Sequence, residues 1–304
     1  MARREAALPA ACYDPRRAPE HRTVEIRGLD HHVLWWGPPS RNPVVLLHGF
    51  LDVGETWQFV VDHLPADWSL LAFDWRGFGR SAWAPAGYWF PDYYADLEAV
   101  LGRFCPASRV RLVGHSMGGN IALAYAGIRR ERVGRVVNLE GFGLARSDPR
   151  QSPSRLARWL DEAQEHLEFN TYASFDEFAR LLLRRNPRLT PERALFIART
   201  WAHAQADGRV RISADPAHKR LNPYIYRRDE LEACWREIHV PVLMVGGQLS
   251  DYRTRLGPDG DYARFSEFIS GVAIAEIPGA SHMLHHEQPE AVAAVIASFL
   301  REPD

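Results

Sequence analysis

The segment Gly114-His115-Ser116-Met117-Gly118-Gly119 sets a serine between glycines, after one apolar run and before a helix-forming stretch. Val110 to Val113 reads as a short buried strand and Asn120 to Ile128 as a helix, so Ser116 falls on the bend between them. A side chain on so sharp a strand-to-helix turn projects clear of the backbone. The backbone there is strained and tolerates only small flanking residues, which Gly114 and Gly118 supply.

The rest of the chain provides the sheet that such a turn needs. Val44 to Leu47, Ser69 to Phe73, Val110 to Val113, Val136 to Leu139, Val242 to Val245 and Ala273 to Ile277 are compact apolar runs, separated mostly by helix-like segments. That alternation predicts an α/β fold: a mostly parallel central sheet of about eight strands, covered by helices on both faces. Thr23 to Arg27 and His32 to Trp36 flank a turn at Gly28-Leu29-Asp30 and predict an antiparallel edge. Right-handed crossovers then bring the C-termini of the parallel strands to one edge of the sheet, where sites in such folds collect.

One interval breaks the rhythm. After the sixth strand, Ser154 to Leu167, Phe175 to Arg185 and Pro191 to His203 place apolar groups at helical spacing, with Thr190-Pro191 as a helix start. Residues 146–233 are therefore expected to form a helical cap inserted into a core of 21–145 and 234–304. Its aromatics (Trp159, Phe169, Tyr172, Phe175, Phe178, Phe196 and Trp201) are expected mostly to pack, with a few lining a pocket. Residues 1–20 lack the apolar segment of a secretion signal and are expected to be a loosely held extension.

Composition narrows the partners. A formal net charge of -1 over 304 residues gives no reason to expect nucleic acid. The apolar stretch Ala291 to Leu300 is too short to span a bilayer. Cys12, Cys105 and Cys234 form no C-x-x-C pair, which fits a reducing cytoplasm and no disulfide framework. A small molecule is the expected partner; oligomeric state is left open.

A serine hydroxyl needs a histidine to take its proton and a carboxylate to orient that histidine. His282 follows the last apolar strand in Pro278-Gly279-Ala280-Ser281-His282, just before a helix starting at Pro289, and is the expected base. Two carboxylates compete for the third role: Asp251, after the penultimate strand, is favoured over Glu140, directly after Val136 to Leu139. Asp259 and Asp261 are outsiders. His285 and His286 lie close to His282, but no carboxylate at metal-ligand spacing accompanies them, so no metal and no cofactor are expected. The oxyanion of a tetrahedral intermediate should meet the backbone N–H groups of Met117 and Phe50. His48 is expected to hold the turn it starts.

His48-Gly49-Phe50, Asp74 to Ser81, Gly114 to Gly119, Gly247 to Asp251 and Gly279 to His282 occur in an order and spacing that resemble the α/β-hydrolase superfamily. The resemblance runs from Thr23 to Phe299 except for the cap. It implies Ser116 as nucleophile, His282 as base, Asp251 as the usual acid, and Phe50 with Met117 as oxyanion hole. A narrower likeness, to serine hydrolase-like proteins, rests on Leu139 to Gly143 and Asp215-Pro216. Family members that cleave haloalkanes or epoxides carry an aspartate at the position of Ser116. A serine implies attack on an acyl carbon, with a small hydrophobic ester expected first and lactones, thioesters or carbon–carbon bonds as alternatives. An alternative of another class is a receptor that holds a small ligand without turning it over.

Overall fold

The computed structural model describes residues 11–106 and 109–301. Its strands in chain order are β1 (Glu20–Ile26), β2 (Leu29–Trp36), β3 (Val44–Leu47), β4 (Leu70–Phe73), β5 (Val110–His115), β6 (Val133–Leu139), β7 (Thr171–Tyr172), β8 (Ala202–Ala204), β9 (Val210–Ile212), β10 (Val242–Gly247) and β11 (Ala273–Ile277). Its helices are α1 (Gln58–Val61), α2 (Phe90–Phe104), α3 (Met117–Ile128), α4 (Ser152–Glu162), α5 (Phe175–Arg185), α6 (Pro191–Trp201), α7 (Arg228–Arg236), α8 (Tyr252–Leu256), α9 (Tyr262–Ser266), α10 (Leu284–Glu287) and α11 (Pro289–Arg301).

Eight strands form one sheet in the order β1-β2-β4-β3-β5-β6-β10-β11, in which β2 runs antiparallel to both neighbours and β4 through β11 are parallel. The β1–β2 hairpin turns on Arg27-Gly28, both at positive φ (52° and 76°), rather than on the three residues expected. A two-residue turn of that hand matches the twist of the paired strands.

Alternate residues of the same strands build two cores, because successive strand side chains face opposite ways. Val33, Trp35, Val45, Leu47, Leu71 and Phe73 join Leu97, Ile121, Tyr125 and Trp235 of α2, α3 and α7. Leu34, Trp36, Val44, Leu46, Leu70 and Ala72 join Val60, Val61, Val292 and Ile296 of α1 and α11. With the sheet covered on both faces, its strand ends are the accessible edge.

The segment between β6 and α7 is not purely helical as expected: β7, β9 and β8 pair as a small antiparallel sheet. Helix α6 stops at Trp201 because Ala202 to Ala204 pair with β9. Helices α5 and α6 start on the side chains of Ser174 and Thr190, which accept from the N–H groups of Glu177 and Arg193. They bury Phe178, Leu182, Leu195 and Phe196 in a third core anchored on Phe59 of α1. By contrast α4 buries none of its residues. Helix α7 spans the boundary expected at 233, and Trp235 ties it to the main core.

The N-terminal segment is not loose where it is described. Tyr13 packs edge-on against Phe59 and donates to Asp62 at 2.7 Å, and the backbone N–H groups of Arg16 and Arg17 also reach that carboxylate. Residues 1–10 of the expected extension lie outside the described residues.

Candidate active site

Ser116 sits between β5 and α3 with φ 50° and ψ −111°, a conformation that ordinary residues avoid. The turn is close-packed: a Cβ on Gly118 would lie 2.3 Å from the Leu47 carbonyl oxygen, and one on Gly114 would lie 2.4 Å from that of Gly118. Hydrogen bonds hold the bend on both sides, from Ser116 N–H to Leu139 C=O (2.8 Å) and from Asn120 N–H to Ser116 C=O (2.9 Å).

His282, in the loop after β11, brings its Nε2 to 3.2 Å from Ser116 Oγ. Its Nδ1 lies 3.0 Å from Glu140 Oε2. Because an ionised carboxylate only accepts, Nδ1 carries the proton in this pair and Nε2 is left with a lone pair facing the serine. The imidazole rests against Tyr252, ring centroids 4.9 Å apart, and keeps 30% of its side-chain surface exposed, so a reactant can approach from one side.

Glu140 is fully buried and is the first residue past β6. Its φ of 58° turns the chain where β6 ends. Besides His282, it accepts from Gly247 N–H at Oε1 (2.7 Å) and from the Ser250 hydroxyl at Oε2 (2.6 Å). The favoured acid, Asp251, is therefore corrected by the geometry. It points to solvent with 67% of its side chain exposed and pairs with Arg255 four residues on (3.1 Å). The physical reason is adjacency: β6 and β10 are neighbours in the sheet, so the loop after β10 supplies donors to a carboxylate arriving from β6. Asp259 pairs with Arg146 and Arg228, and Asp261 caps α9.

The loop after β3 passes hard against the serine. A Cβ on Gly49 would lie 3.3 Å from Ser116 Cβ and 2.8 Å from His115 Nδ1. Phe50 follows, its ring half exposed and edge-on to Phe78 (5.5 Å), and Leu51 takes a positive φ of 58°. Met117 is the first residue of α3, where backbone N–H groups have no partner within the helix. His48 is wholly buried and structural: Nδ1 meets Gly49 C=O (2.8 Å), Nε2 accepts from Trp75 N–H (2.9 Å), and burial lowers its pKa.

Several residues at the site carry no sequence signal. Ser250 and Asp52 sit in loops without periodicity, and nothing marks Trp201 as more than packing. His115, beside the serine, meets the carbonyl oxygen of His282 through Nε2 at 2.8 Å. The expectation that no carboxylate joins His285 and His286 does not hold. Asp52 meets both, and the three offer ligand atoms within 4.8 Å of one another, the one group of this kind among the described residues.

The alpha/beta hydrolase fold family model matches residues 42–289, which include Phe50, Ser116, Glu140 and His282. The chain belongs to this family. Among curated relatives, this hydrolase is 28% identical to a serine hydrolase-like protein of Danio rerio over 278 residues, 88% of this chain and 83% of that one. It is 26% identical to a probable serine hydrolase of Drosophila melanogaster, again over 88% and 83% of the two chains. Among solved structures, the thioesterase domain from the curacin biosynthetic pathway superposes with a TM-score of 0.83 at 25% identity, covering 92% of this hydrolase and 99% of that domain. No helix among the described residues is long and apolar enough to cross a membrane.

Proposed function

We propose that the chain is a serine hydrolase that cleaves a carboxylic ester through an acyl-enzyme on Ser116. One observation carries the reading: a continuous hydrogen-bonded line from Ser116 Oγ through His282 to the buried Glu140. In this reading Ser116 Oγ attacks the acyl carbon while its proton passes to His282 Nε2. The imidazolium is stabilised by Glu140, and the N–H groups of Phe50 and Met117 receive the oxyanion. Collapse of the tetrahedral intermediate expels the alcohol, which takes the proton from His282. A water then attacks the acyl-enzyme, giving its proton to His282; collapse of this second intermediate breaks the bond to Ser116 Oγ, which takes that proton back as the acid leaves.

Residues 146–233 act in this reading as a cap over the strand ends, and the half-exposed ring of Phe50, next to the glycine that meets Ser116, favours a small hydrophobic acyl chain. The strained φ of Ser116 supports the nucleophile role, since such strain persists where a function uses it. The likeness to a thioesterase domain favours a thioester as the second substrate to try. The test is turnover of p-nitrophenyl acetate and butyrate, and of the matching thioesters, by the wild-type protein and Ser116→Ala. Loss of turnover in the variant is expected; equal turnover in both would end the proposal.

A further inference from the structure

Trp201 closes α6 in the inserted segment, and its indole N–H donates to Asp52 Oδ1 at 2.7 Å. Asp52 lies two residues past Phe50, and its N–H donates to Gly49 C=O at 3.2 Å. Its carboxylate is almost wholly buried, at 2% exposure. Oδ1 also accepts from Val53 N–H (2.8 Å) and the Thr56 hydroxyl (2.6 Å), while Oδ2 faces His285 Nε2 at 3.2 Å and His286 Nε2 at 3.6 Å. Burial raises the carboxyl pKa, but His286 and His285 beside it outweigh burial and hold it below the usual carboxylate range.

From His285 the contacts run on to the catalytic residues. The His285 and His115 rings pack with centroids 4.1 Å apart. A carbonyl oxygen only accepts, so His115 donates from Nε2 to the His282 carbonyl and fixes the backbone that carries the base. The inserted segment also grips the far side of that loop. Glu287 accepts from Asn186 at the end of α5 (2.8 Å) and from Ser281 N–H (2.6 Å), and Arg193 of α6 donates to the carbonyls of His286 and Glu287.

The geometry points to Asp52 as a positioning residue that ties Trp201 of the cap to the Phe50 loop and, through His285 and His115, to the backbone of His282. This rests on the serine-hydrolase reading above. Helices α5 and α6 are then a fixed wall of the active site rather than a lid that leaves it. Helix α4, which buries nothing, lies outside the tie. Asp52, His285 and His286 have the donor set of a metal site, but all three are buried, and Oδ2, the oxygen that faces both histidines, is the one through which Asp52 meets His285. A cation there would disturb the tie rather than extend it.

The experiment measures kcat and KM for p-nitrophenyl butyrate, together with thermal stability, on the full chain. Trp201→Phe removes only the indole donor, and Asp52→Asn removes the charge. Each is expected to lower kcat about tenfold to a hundredfold, the scale of an ångström's misplacement at a reacting centre, with KM within about twofold. Because both act on one tie, the double variant should lose little more than the worse single one. Tyr13→Phe keeps the ring packed on Phe59 and cuts only a half-buried bond to Asp62, which touches none of Asp52, Trp201, His285 or His115; it should lower the melting temperature and leave kcat unchanged. The inference is overturned if Trp201→Phe behaves like Tyr13→Phe, or if a chelator lowers kcat and zinc restores it. Ser116→Ala separates the two levels: turnover surviving in Ser116→Ala sinks the parent reading. Loss there with a wild-type Trp201→Phe sinks this one alone.

Discussion

Glu140→Gln exchanges a buried acceptor for a group with one carbonyl and one amide. Gly247 N–H, at 2.7 Å from Oε1, requires the carbonyl on its side. The NH2 then takes the place of Oε2, which faces Ser250 Oγ at 2.6 Å and His282 Nδ1 at 3.0 Å. The serine hydroxyl can rotate to accept. His282 can accept only by giving up the proton on Nδ1, which moves to Nε2 and blocks the nitrogen that should receive the proton of Ser116. Flipping the amide instead strands Gly247 N–H, a buried donor, at about 1–3 kcal/mol. The corresponding acid-to-amide change in the well-studied protease triad lowers kcat about 10⁴-fold through the wrong tautomer. That is about 5 kcal/mol of transition-state stabilisation, and a loss of the same order is predicted here. Asp251→Asn removes one half of an exposed i,i+4 pair with Arg255, worth about 0.3–0.5 kcal/mol of stability, and should leave kcat within about twofold. Steady-state ester hydrolysis on both variants, with circular dichroism to show that each is folded, decides. An inactive Asp251→Asn beside an active Glu140→Gln would refute the reasoning.

Ser250→Ala deletes one of the three donors to Glu140 and should lower kcat about tenfold, as removal of a hydrogen bond to a charged group does; wild-type kinetics would show that the bond does not matter. Asp96 is buried, which raises its pKa, yet His31, 3.5 Å away, and the two bonds from Arg76 outweigh burial and hold it at about 2. Its stabilisation is present above the unfolded carboxylate range near pH 4 and is lost as pH falls through about 2, so about 2–3 kcal/mol should disappear across that window. Urea unfolding at steps from pH 5 to 2 should show a flatter curve for Asp96→Asn than for the wild type. Phe59→Ala empties the anchor shared by α1, Tyr13 and the inserted helices and should cost about 3–5 kcal/mol in denaturant unfolding; a cost below about 1 kcal/mol would mean that the third core does not anchor the insertion.

The central sheet is legible because its strands are continuous apolar runs. Val44–Leu47 and Ala273–Ile277 fall where the pattern puts them, and α5 does too. The small sheet is invisible, since a strand such as Thr171–Tyr172 is too short to alternate. Sequence order favours Asp251 over Glu140 for a topological reason: it shows that both follow strands, but not that β6 and β10 are neighbours, which is what sets Glu140 rather than Asp251 beside His282. Nor does it show that Glu140 turns at positive φ into a cradle made by Gly247 and Ser250. Ser116 and His282 are legible because glycine spacing and the position after the last strand each mark one place. Asp52 illustrates the opposite case, a charged loop residue that takes meaning only when the inserted segment returns Trp201 to it.

The most direct test of the account is the mass of the protein after brief reaction with a fluorophosphonate. The account predicts one adduct, on the peptide bearing Ser116, formed rapidly in the wild type, absent in Ser116→Ala and strongly slowed in Glu140→Gln. An adduct on another residue, or labelling undiminished in Ser116→Ala, would contradict it.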